Sequence, residues 1–558
     1  MATQSLPVTP PGLADEPRAD IARSAGVVSA AVLMSRITGL VRESVMAALF
    51  GASQSYDAFV LGFRIPNLMR DLFAEGGLSS AFVPIFTRYL ATKRPEDALR
   101  LYNLVATAII MIVGGLCALG MVFSSQLVDL FAHGFRQVPG KYELAVRLTR
   151  IMFPFLLLVA LAAQAMGVLN ACRKFGVPAL SSVMFNVGSI TFGLMLGFLI
   201  GPRFGMRPID GMAWGIVLGG ALQVAFQIPT LMKAGFAFRP AIDFGDEGLR
   251  NVLRLMGPAL LGSASTQINI LVNTNFASGL RDASGMVMNG PVSWLNYAFR
   301  FMHFPLGVFG VAIAAATLPE IARSAARSDL REFRDTLTRS LSMVVVLTIP
   351  SSIGLAVLGP SIVGAIYQYH KFTAFDTQQT ALALSCYAAG LSGYAALKVL
   401  VPAFYALDDA RTPMLVSLFS VSVNFLAAMY LVRTPLRHAG LALATSTVSV
   451  ASFLLLLFVL RRKIGTINGR ALLSVIWRAS AAGVVMGCVC YAASSAIHRW
   501  SGMTHRAAFT DLAISIPLGA GVYFAMGKLL GIPGIERPLK LLVQRFSGLR
   551  RAAPAPPA

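Results

Sequence analysis

The chain has 558 residues, of which 56% are hydrophobic and 13% are charged, and its formal net charge is +22. Soluble globular domains carry about 25% charged residues, so this composition excludes a soluble protein and is typical of a chain that crosses a membrane many times. No nucleic-acid-binding motif stands between the apolar segments, and we therefore attribute the basic balance to membrane topology.

Apolar segments of roughly 20 residues or more predict an all-α polytopic membrane protein with about fourteen transmembrane helices. The predicted segments are 24–50, 53–88, 101–125, 146–170, 178–201, 210–232, 252–280, 291–320, 339–359, 378–406, 413–432, 439–460, 472–497 and 507–530. Prolines at Pro66, Pro84 and Pro305 predict kinks within them. Residues 1–23 are predicted to form a disordered cytoplasmic tail, and residues 531–558 a basic cytoplasmic tail.

The basic residues are distributed unevenly between the two sides of this predicted topology. With the N-terminus in the cytoplasm, the cytoplasmic segments hold 29 of the 47 lysine and arginine residues, and the outer segments hold 12. The positive-inside rule therefore predicts that both termini are cytoplasmic and that the number of spans is even.

A weak internal repeat relates two halves of the chain. Pro84 and Pro319 begin the similar motifs PIFTR and PEIAR at an offset of 235 positions, and Pro178 and Pro413 open apolar segments at the same offset. Parallel repeats are typical of transporters whose substrate site lies between the two halves. The sequence therefore predicts two six-helix lobes in parallel pseudo-repeat and two C-terminal helices, with boundaries at 24–235, 236–465 and 466–530.

The first predicted hairpin, from Ser35 to Glu75, combines membrane-spanning length with an unusual number of charges. The charges are Arg36, Arg42, Arg64 and Arg70, with Glu43, Asp57, Asp71 and Glu75. A charge at the centre of a membrane helix costs roughly 3 kcal/mol, so these side chains are expected to face the protein interior or a wet cavity. Intramembrane charges predict a functional site, and the alternative is a self-neutralised ion-pair network.

Helical spacing places several of these side chains on one face. Asp57, Arg64 and Asp71 are seven residues apart, and Asn67 follows Arg64 by three positions. The predicted arrangement is a band of arginines deep in the membrane with carboxylates beside it. We expect the arginines to bind an anionic substrate, and the carboxylates to form gating ion pairs with them. Arg64 is expected to pair with Asp57 or Asp71, one heptad away on either side.

The eighth predicted segment contributes a fifth arginine. Its polar and aromatic residues step by three along one face, as Trp294, Tyr297, Arg300 and His303. Arg300 adds a positive charge and breaks the neutral balance of the hairpin, unless it pairs with Asp71 or Glu75. Asn67, Tyr297, His303 and Lys398 are candidate cavity residues. His303 is either a structural hydrogen bonder or a proton carrier, and Lys398 either snorkels or approaches the cavity.

Four stretches of the sequence resemble those of a known family. SRITGLVRE, GASQSYDAFVLGFRIPNLMRDLFAEGGLSSAFVPIF, QYHKFTAFD and LKVLVPAFYALDDARTP resemble the MurJ/MviN family of lipid II flippases, in the MOP exporter superfamily. The resemblance covers about residues 24–530 and implies fourteen helices in two lobes around a cationic cavity. It also implies that the last two helices form a groove for a lipid tail.

The resemblance implies a function and roles for individual residues. The function would be translocation of undecaprenyl-diphosphate-linked peptidoglycan precursor from the inner to the outer leaflet of the bacterial cytoplasmic membrane. Essential cavity arginines of the family match Arg36, Arg42, Arg70 and Arg300, and its acidic residues match Asp57 and Glu75. The chain departs from some members at Phe299 and His303, where they carry acidic residues, which puts carboxylate-based ion coupling there in doubt.

The sequence is compared with what a lipid flippase, a cation-coupled exporter and a membrane enzyme would each require. The alternatives to a lipid II flippase are a flippase for another lipid-linked oligosaccharide, or a cation-coupled exporter of the same superfamily. An exporter of cations favours an acidic cavity, whereas this hairpin is rich in arginine. A membrane enzyme acting on polyprenyl diphosphates would need an acid–base or nucleophile set, and the sequence has none.

Expected ligands and partners follow from the same reading. No cofactor and no metal site are expected, and coupling to the membrane potential or to an ion is left open. The expected partners are lipid II, membrane lipids and cell-wall synthesis proteins, with no nucleic acid. The chain is expected to function as a monomer.

Overall fold

A computed structural model describes residues 18–70, 79–465, 468–502, 504–533 and 535, and these are almost entirely helical. Within them the only β-structure is an isolated bridge between Arg281 and Val287. The description does not extend to the side chains of residues 18–29, 79, 80, 257–264 and 266. The predicted carboxylates Asp71 and Glu75 lie outside the described residues, as do most of the two predicted tails.

The first half of the chain forms ten α-helices within the described residues. They are α1 (Arg18–Phe50), α2 (Gln54–Arg70), α3 (Ser79–Thr92), α4 (Pro95–Val122), α5 (Ser124–Ala132), α6 (Lys141–Met152), α7 (Phe155–Ala171), α8 (Gly176–Leu194), α9 (Pro208–Lys233) and α10 (Glu247–Ser278). Short 3₁₀ turns follow α5 at His133–Gln137 and precede α9 at Gly201–Phe204, and α8 continues as a π-helix over Met195–Ile200. The first helix begins at Arg18, so residues 18–23 are helical and do not belong to a disordered tail.

The second half forms ten further helices within the described residues. They are α11 (Pro291–Pro305), α12 (Val311–Ala326), α13 (Leu330–Val357), α14 (Gly359–Tyr367), α15 (Ala374–Ala388), α16 (Leu391–Ala406), α17 (Arg411–Leu431), α18 (His438–Ile464), α19 (Gly469–Ser501) and α20 (His505–Leu529). A π-helix at Leu306–Gly310 joins α11 to α12 directly after Pro305. The regular α-helical turn is therefore interrupted directly after Pro305, one of the prolines at which the sequence predicts a kink.

Membrane-spanning helices account for most of the predicted segments. Ten described helices or continuous helix pairs are long and apolar enough to cross a membrane, and α15 with α16 makes an eleventh if that pair, bent by 43°, is one span. The three other predicted segments, 24–50, 53–88 and 252–280, coincide with α1, with α2 and α3, and with α10. Residues 71–78 of the second segment lie outside the described part, and some side chains of all three segments are not described. The chain is therefore an all-α polytopic membrane protein, as the apolar segments predict.

Contacts divide the chain into two compact units. The first unit comprises Met1–Arg42, Ile65–Phe123 and Arg150–Leu260, and the second comprises Glu43–Arg64, Ser124–Thr149 and Leu261–Ala558. Each has its own packed core. The predicted boundaries at residues 235 and 465 follow from the sequence repeat and stay predictions.

Small residues let two helices of the first unit approach closely. A Cβ atom on Gly215 of α9 would lie 2.6 Å from the Cα of Gly193 in α8, and one on Gly219 would lie 2.7 Å from the carbonyl oxygen of Phe185. Membrane helices gain packing energy through such contacts because lipid provides no hydrophobic driving force between them. The close packing fixes α8, whose Phe185 ring lies 5.3 Å from the guanidinium of Arg42.

The second unit has an aromatic core close to its charged residues. The ring of Tyr297 lies 4.8 Å from that of Tyr56, 4.7 Å from that of Tyr367 and 5.3 Å from that of Phe372. All four side chains are buried. This rigid cluster joins α2, α11 and the turn after α14, and it sets the positions of the polar groups described next.

Candidate functional site

Asp57 is completely buried near the start of α2, and it accepts hydrogen bonds from three residues. The Lys141 ammonium donates to Oδ2 at 2.8 Å, and the Gly290 amide donates to the same oxygen at 2.8 Å. The Ser293 amide and hydroxyl donate to Oδ1 at 2.9 and 2.5 Å. Because the first amides of a helix have no partner within it, Asp57 caps α11 from another helix and is favoured there by the helix dipole.

Lys141, the first residue of α6, provides the opposite charge. Its side chain is as buried as that of Asp57, donates to the side-chain oxygen of Asn289 at 3.0 Å, and lies 4.2 Å from the centre of the Phe135 ring. A buried carboxylate without a partner would cost several kcal/mol, so the pair holds α2, α6 and α11 together as one unit. We call Asp57, Lys141, Gly290 and Ser293 the carboxylate latch.

The latch corrects one prediction. We expected arginines to hold Asp57, and the structure gives it a lysine 84 positions away together with backbone and hydroxyl donors. Sequence reasoning missed Lys141, which looked like an ordinary basic residue at the edge of an apolar segment. Its signal was weak, since one lysine after a glycine turn carries no information about a buried carboxylate elsewhere.

Glu43 and Arg300 form the second ion pair of this region. One oxygen of Glu43 accepts from the Arg300 guanidinium at 2.9 Å, and the other accepts from the Tyr56 hydroxyl at 2.7 Å. The Glu43 side chain is 7% exposed, whereas the Arg300 side chain is 44% exposed. Arg300 therefore donates to one carboxylate through one nitrogen and leaves part of its guanidinium accessible. Its partner is Glu43 in α1, where we had considered Asp71 or Glu75.

Arg64 is held by neutral acceptors. Its guanidinium donates to the Thr274 hydroxyl at 2.7 Å and to the Asn296 side-chain oxygen at 3.4 Å. The prediction that Arg64 pairs with Asp57 is wrong, because the latch donors occupy that carboxylate; the other predicted partner, Asp71, lies outside the described residues. Among the described side chains, Arg64 has no carboxylate partner, so its positive charge is oriented but not neutralised.

A chain of hydrogen bonds connects these two arginines. The Asn296 amide also lies 3.5 Å from the Tyr56 hydroxyl, which donates to Glu43, and Glu43 accepts from Arg300. The chain therefore runs from Arg64 to Arg300 and contains two guanidinium groups and one carboxylate. We call it the arginine network. Its excess of positive charge suits an anion with several acceptor oxygens.

The remaining predicted arginines belong to the first unit. Arg36 is exposed, Arg42 is 6% exposed beside the Phe185 ring, and Arg70 is half-buried at the end of α2. The Asn186 side chain donates to the backbone oxygen of Ser35 at 3.2 Å, and so holds the turn of α1 that carries Arg36. All three arginines make further interactions. Their convergence with the arginine network on one substrate stays a prediction.

The other candidate residues have different surroundings. Tyr297 is completely buried among aromatic rings, so the prediction that it lines a cavity is wrong. Tyr297 and Arg300 are three residues apart and share one face of α11. The aromatic core covers the part of this face that carries Tyr297, and the Arg300 side chain is partly exposed. His303 is exposed with its ring 4.4 Å from that of Phe299, Lys398 is exposed, and Asn67 is half-buried.

Asp511 forms a second fully buried carboxylate cluster that sequence reasoning did not single out. The hydroxyls of Ser494 and Ser515 each donate to it at 2.6 Å, the Ser361 hydroxyl also donates to it, and His498 Nε2 lies 3.4 Å away. The cluster fastens α20 and α19 to α14. No group of three or more histidine, cysteine or acidic residues placed to hold a metal ion occurs in the part of the chain that the structure describes.

Comparison with known proteins relates the chain to one family. The family model described as lipid II flippase MurJ matches residues 46–509. A protein of Buchnera aphidicola named probable lipid II flippase MurJ is 34% identical over 77% of this chain and 81% of its own length. One of Vibrio cholerae with the same name is 33% identical over 91% and 96%, and the lipid II flippase MurJ of Burkholderia cenocepacia is 34% identical over 78% and 83%.

Solved structures agree with these sequence matches. A structure described as lipid II flippase MurJ in an inward closed conformation matches with a TM-score of 0.73 and 26% identity, over 92% of this chain and 99% of that one. An inward-facing multidrug transporter of the MATE family, in the MOP superfamily, matches with a TM-score of 0.64 and 14% identity, over 80% and 99%. At that identity the second match shows the fold alone.

Proposed function

The chain belongs to the lipid II flippase MurJ family, and on that premise we propose that it moves lipid II from the inner to the outer leaflet of the bacterial cytoplasmic membrane by alternating access. It is a transporter and not an enzyme. The observation that carries the proposal is the arginine network, which holds two oriented guanidinium groups and one carboxylate, and in which only Arg300 contacts that carboxylate.

The network suits the diphosphate that links the lipid to its sugar. A diphosphate carries about two negative charges and several acceptor oxygens, and a guanidinium donates to such oxygens in pairs. Arg64 keeps its orientation through neutral partners, and the exposed part of Arg300 is available to a ligand. We propose that Arg36, Arg42 and Arg70 complete the site. The long lipid tail stays in the bilayer, so only the headgroup needs a wet path.

The carboxylate latch is proposed to act as a gate. It ties the beginning of α2 to the beginnings of α6 and α11 in this conformation. Alternating access requires one set of helix contacts to be exchanged for another of similar free energy. Because the latch is buried and fully paired, we propose that it is intact in one state and open in the other. The ion pair between Glu43 and Arg300, whose side chain is 44% exposed, would respond to substrate.

Neighbouring functions are less well supported. A flippase for another lipid-linked oligosaccharide would use the same diphosphate chemistry and differ only in the headgroup it accepts. A cation-coupled drug exporter shares the fold of the MATE transporter above, but the excess positive charge of the network would repel cationic substrates. We propose no cofactor, and coupling to the membrane potential or to an ion is left to experiment. We propose that the protein functions as a monomer and that it interacts with cell-wall synthesis proteins at the membrane.

The proposed topology has both termini in the cytoplasm. Reporter fusions at Arg551 and at Gln137 test it, since we expect an inside signal from the first and an outside signal from the second. An outside signal at Arg551 would contradict this topology.

Reconstitution of the purified full chain in vesicles tests the function. The assay compares the appearance of fluorescent lipid II at the far leaflet with that of a fluorescent phospholipid and of an undecaprenyl-diphosphate carrying a different oligosaccharide. We expect protein-dependent movement of lipid II and no effect on the phospholipid. Movement of the other oligosaccharide alone would favour the second candidate, and movement of neither would contradict both.

A further inference from the structure

A separate cavity of about 430 Å³ opens in the second unit where α10 ends and α17 leads into α18. Three arginines line it, Arg281, Arg433 and Arg437, together with apolar side chains that include Phe276 and Val432. None of these residues belongs to the arginine network or to the carboxylate latch. We call this cavity the interfacial pocket, because Arg433 lies two residues after the membrane-spanning helix α17 and Arg437 lies directly before the membrane-spanning helix α18.

Arg281 is fixed in place by neutral groups. It lies in a short hairpin in which the Met288 amide donates to the Leu280 oxygen at 2.8 Å. Its guanidinium donates to the Gly285 backbone oxygen and to the Gln137 side-chain oxygen, both at 2.7 Å. These bonds orient the side chain without reducing its charge. A positive group held in this way is prepared for an anionic ligand.

The pocket carries uncompensated positive charge. Arg281, Arg433 and Arg437 form no ion pair with any carboxylate among the described residues. The nearby acid is Asp282, whose Oδ1 already accepts from Ser284 and from the Met286 amide. The Ser284 hydrogen bond and, to a smaller extent, the charge of Arg437 lower the pKa of Asp282, so it is ionised at neutral pH. Three cations and one anion leave the pocket with a net charge of about +2.

Arg437 has an unusual backbone for an arginine. Its φ is 47° and its ψ is −116°, in a region that favours glycine. A side chain in this region costs free energy, and such outliers concentrate at functional sites. The arginine therefore stands where glycine would be better for stability alone. A ligand that needs the guanidinium would account for its presence.

We propose that the interfacial pocket binds the phosphate of a membrane lipid headgroup. Arginines at the end of membrane helices pair with phosphate oxygens, and the apolar wall formed by Phe276 and Val432 suits the less polar part of the headgroup and the first carbons of the tail. Two lipids offer this chemistry, an anionic phospholipid such as phosphatidylglycerol, and lipid II itself. The pocket does not depend on the proposed transport activity, because both lipids present a phosphate at the membrane surface.

Lipid titration of the purified full chain, followed by native mass spectrometry, tests the proposal. The probes are phosphatidylglycerol, phosphatidylcholine as the zwitterionic reference, and lipid II. The test variant combines Arg433→Gln with Arg437→Gly, which removes two charges and gives the strained position its favoured residue. The matched control combines Arg499→Gln with Arg506→Gln, which removes two exposed arginines on the same predicted side of the membrane.

The expected result is a loss of about ten-fold or more in affinity for an anionic lipid, because losing one charge-assisted hydrogen bond has about this effect. The control should remain within about two-fold of the parent. Loss confined to phosphatidylglycerol identifies a phospholipid site, and loss confined to lipid II identifies a second station for the substrate. Equal losses in test and control variants, or no loss in either, would overturn the proposal.

Thermal unfolding distinguishes a ligand site from a structural role. If Arg437 serves only the fold, Arg437→Gly should lower the melting temperature. The backbone geometry instead predicts an unchanged or higher value in lipid-free detergent. Should the double variant fail to fold, Arg433→Gln alone leaves the backbone intact and is expected to lower anionic-lipid affinity while its melting temperature stays constant.

Discussion

The carboxylate latch and the arginine network lie in the same unit and share α2 and α11, yet they treat charge in opposite ways. Asp57 is sealed from solvent, paired with Lys141 and supplied with backbone and hydroxyl donors. Among the described side chains, Arg64 has only neutral partners. Arg300 donates to Glu43, which also accepts from Tyr56, and the Arg300 side chain is 44% exposed. Full compensation makes a charge structural, whereas partial compensation leaves it available to a ligand.

The largest expected effect comes from breaking the latch. Asp57→Ala leaves the Lys141 ammonium buried without its partner and the first amides of α11 without acceptors, so we expect a loss of stability of about 3–5 kcal/mol in the latched state. Thermal unfolding of the purified protein measures the stability, and complementation of a flippase-depleted strain measures the function, which we expect to be lost.

Removing both charges provides the control for this change. Asp57→Asn with Lys141→Met eliminates the unpaired charge and keeps an acceptor for α11, so it should recover most of the stability. If Asp57→Ala leaves both the melting temperature and growth unchanged, the latch contributes neither to the fold nor to the transport cycle.

The next effect concerns the arginine network. Arg300→Lys and Arg64→Lys keep the charge and remove the planar fork, so we expect transport of lipid II to fall by about ten-fold or more, with little change in melting temperature. Protein levels in the membrane provide the check against misfolding. Full activity of both lysine variants would mean that a point charge suffices and that bidentate contact has no part in binding.

A smaller effect is expected within the network. Tyr56→Phe preserves the stack with Tyr297 and removes only the hydroxyl that donates to Glu43, a bond to a charged acceptor worth about 1.5–3 kcal/mol. Glu43 should then bind Arg300 more tightly, so the apparent affinity for lipid II should fall by a few fold. An unchanged affinity would show that Glu43 does not control the availability of Arg300.

The smallest effect is expected at an exposed ion pair between Asp409, which lies outside the membrane spans, and Lys463 in the last turn of α18. Lys463 donates a hydrogen bond to Asp409. This bond has the largest effect on the Asp409 carboxyl and the bond from Thr412 the second largest, and the pKa of Asp409 is lowered to about 2. Because the folded-state pKa lies below the ordinary value of about 3.9, the pair stabilises the fold above pH ~4, and this contribution disappears as the pH falls toward 2. Lys463 is 46% exposed, so Asp409→Asn should cost less than about 1 kcal/mol at pH 7.

Thermal unfolding at two pH values measures the contribution of the Asp409–Lys463 ion pair to stability. We expect the melting temperature of Asp409→Asn to lie slightly below that of the parent at pH 7 and to converge with it near pH 2. A cost at Asp409 equal to that at Asp57 would erase the contrast between exposed and buried ion pairs.

Local patterns predict the helices well. Apolar length gives the spans, and Pro305 marks the irregular turn at Leu306–Gly310, because both depend on residues close together in the chain. The charged hairpin around Asp57 and Arg64 is also evident from sequence, since charges inside apolar segments are rare.

The partners of these charges were not predictable. Lys141 reaches Asp57 across 84 positions, and Glu43 reaches Arg300 across 257. Such pairings depend on how helices pack, which one sequence does not reveal. Periodicity placed Tyr297 on the face of Arg300 but gave no sign that an aromatic core covers part of that face. Asp511 escaped notice because its partners are serines from three helices.

The most direct test separates binding from gating by measuring the affinity of the purified protein for lipid II in detergent. We predict that Arg64→Gln and Arg300→Gln each weaken binding by about ten-fold or more. Asp57→Asn keeps the shape of the latch but leaves the Lys141 ammonium without its counter-charge, which destabilises the latched state. This variant should bind lipid II within about two-fold of the parent and yet fail to transport it in vesicles. Unchanged binding in both arginine variants, with binding lost in Asp57→Asn, would contradict the assignment of the network to substrate and of the latch to gating.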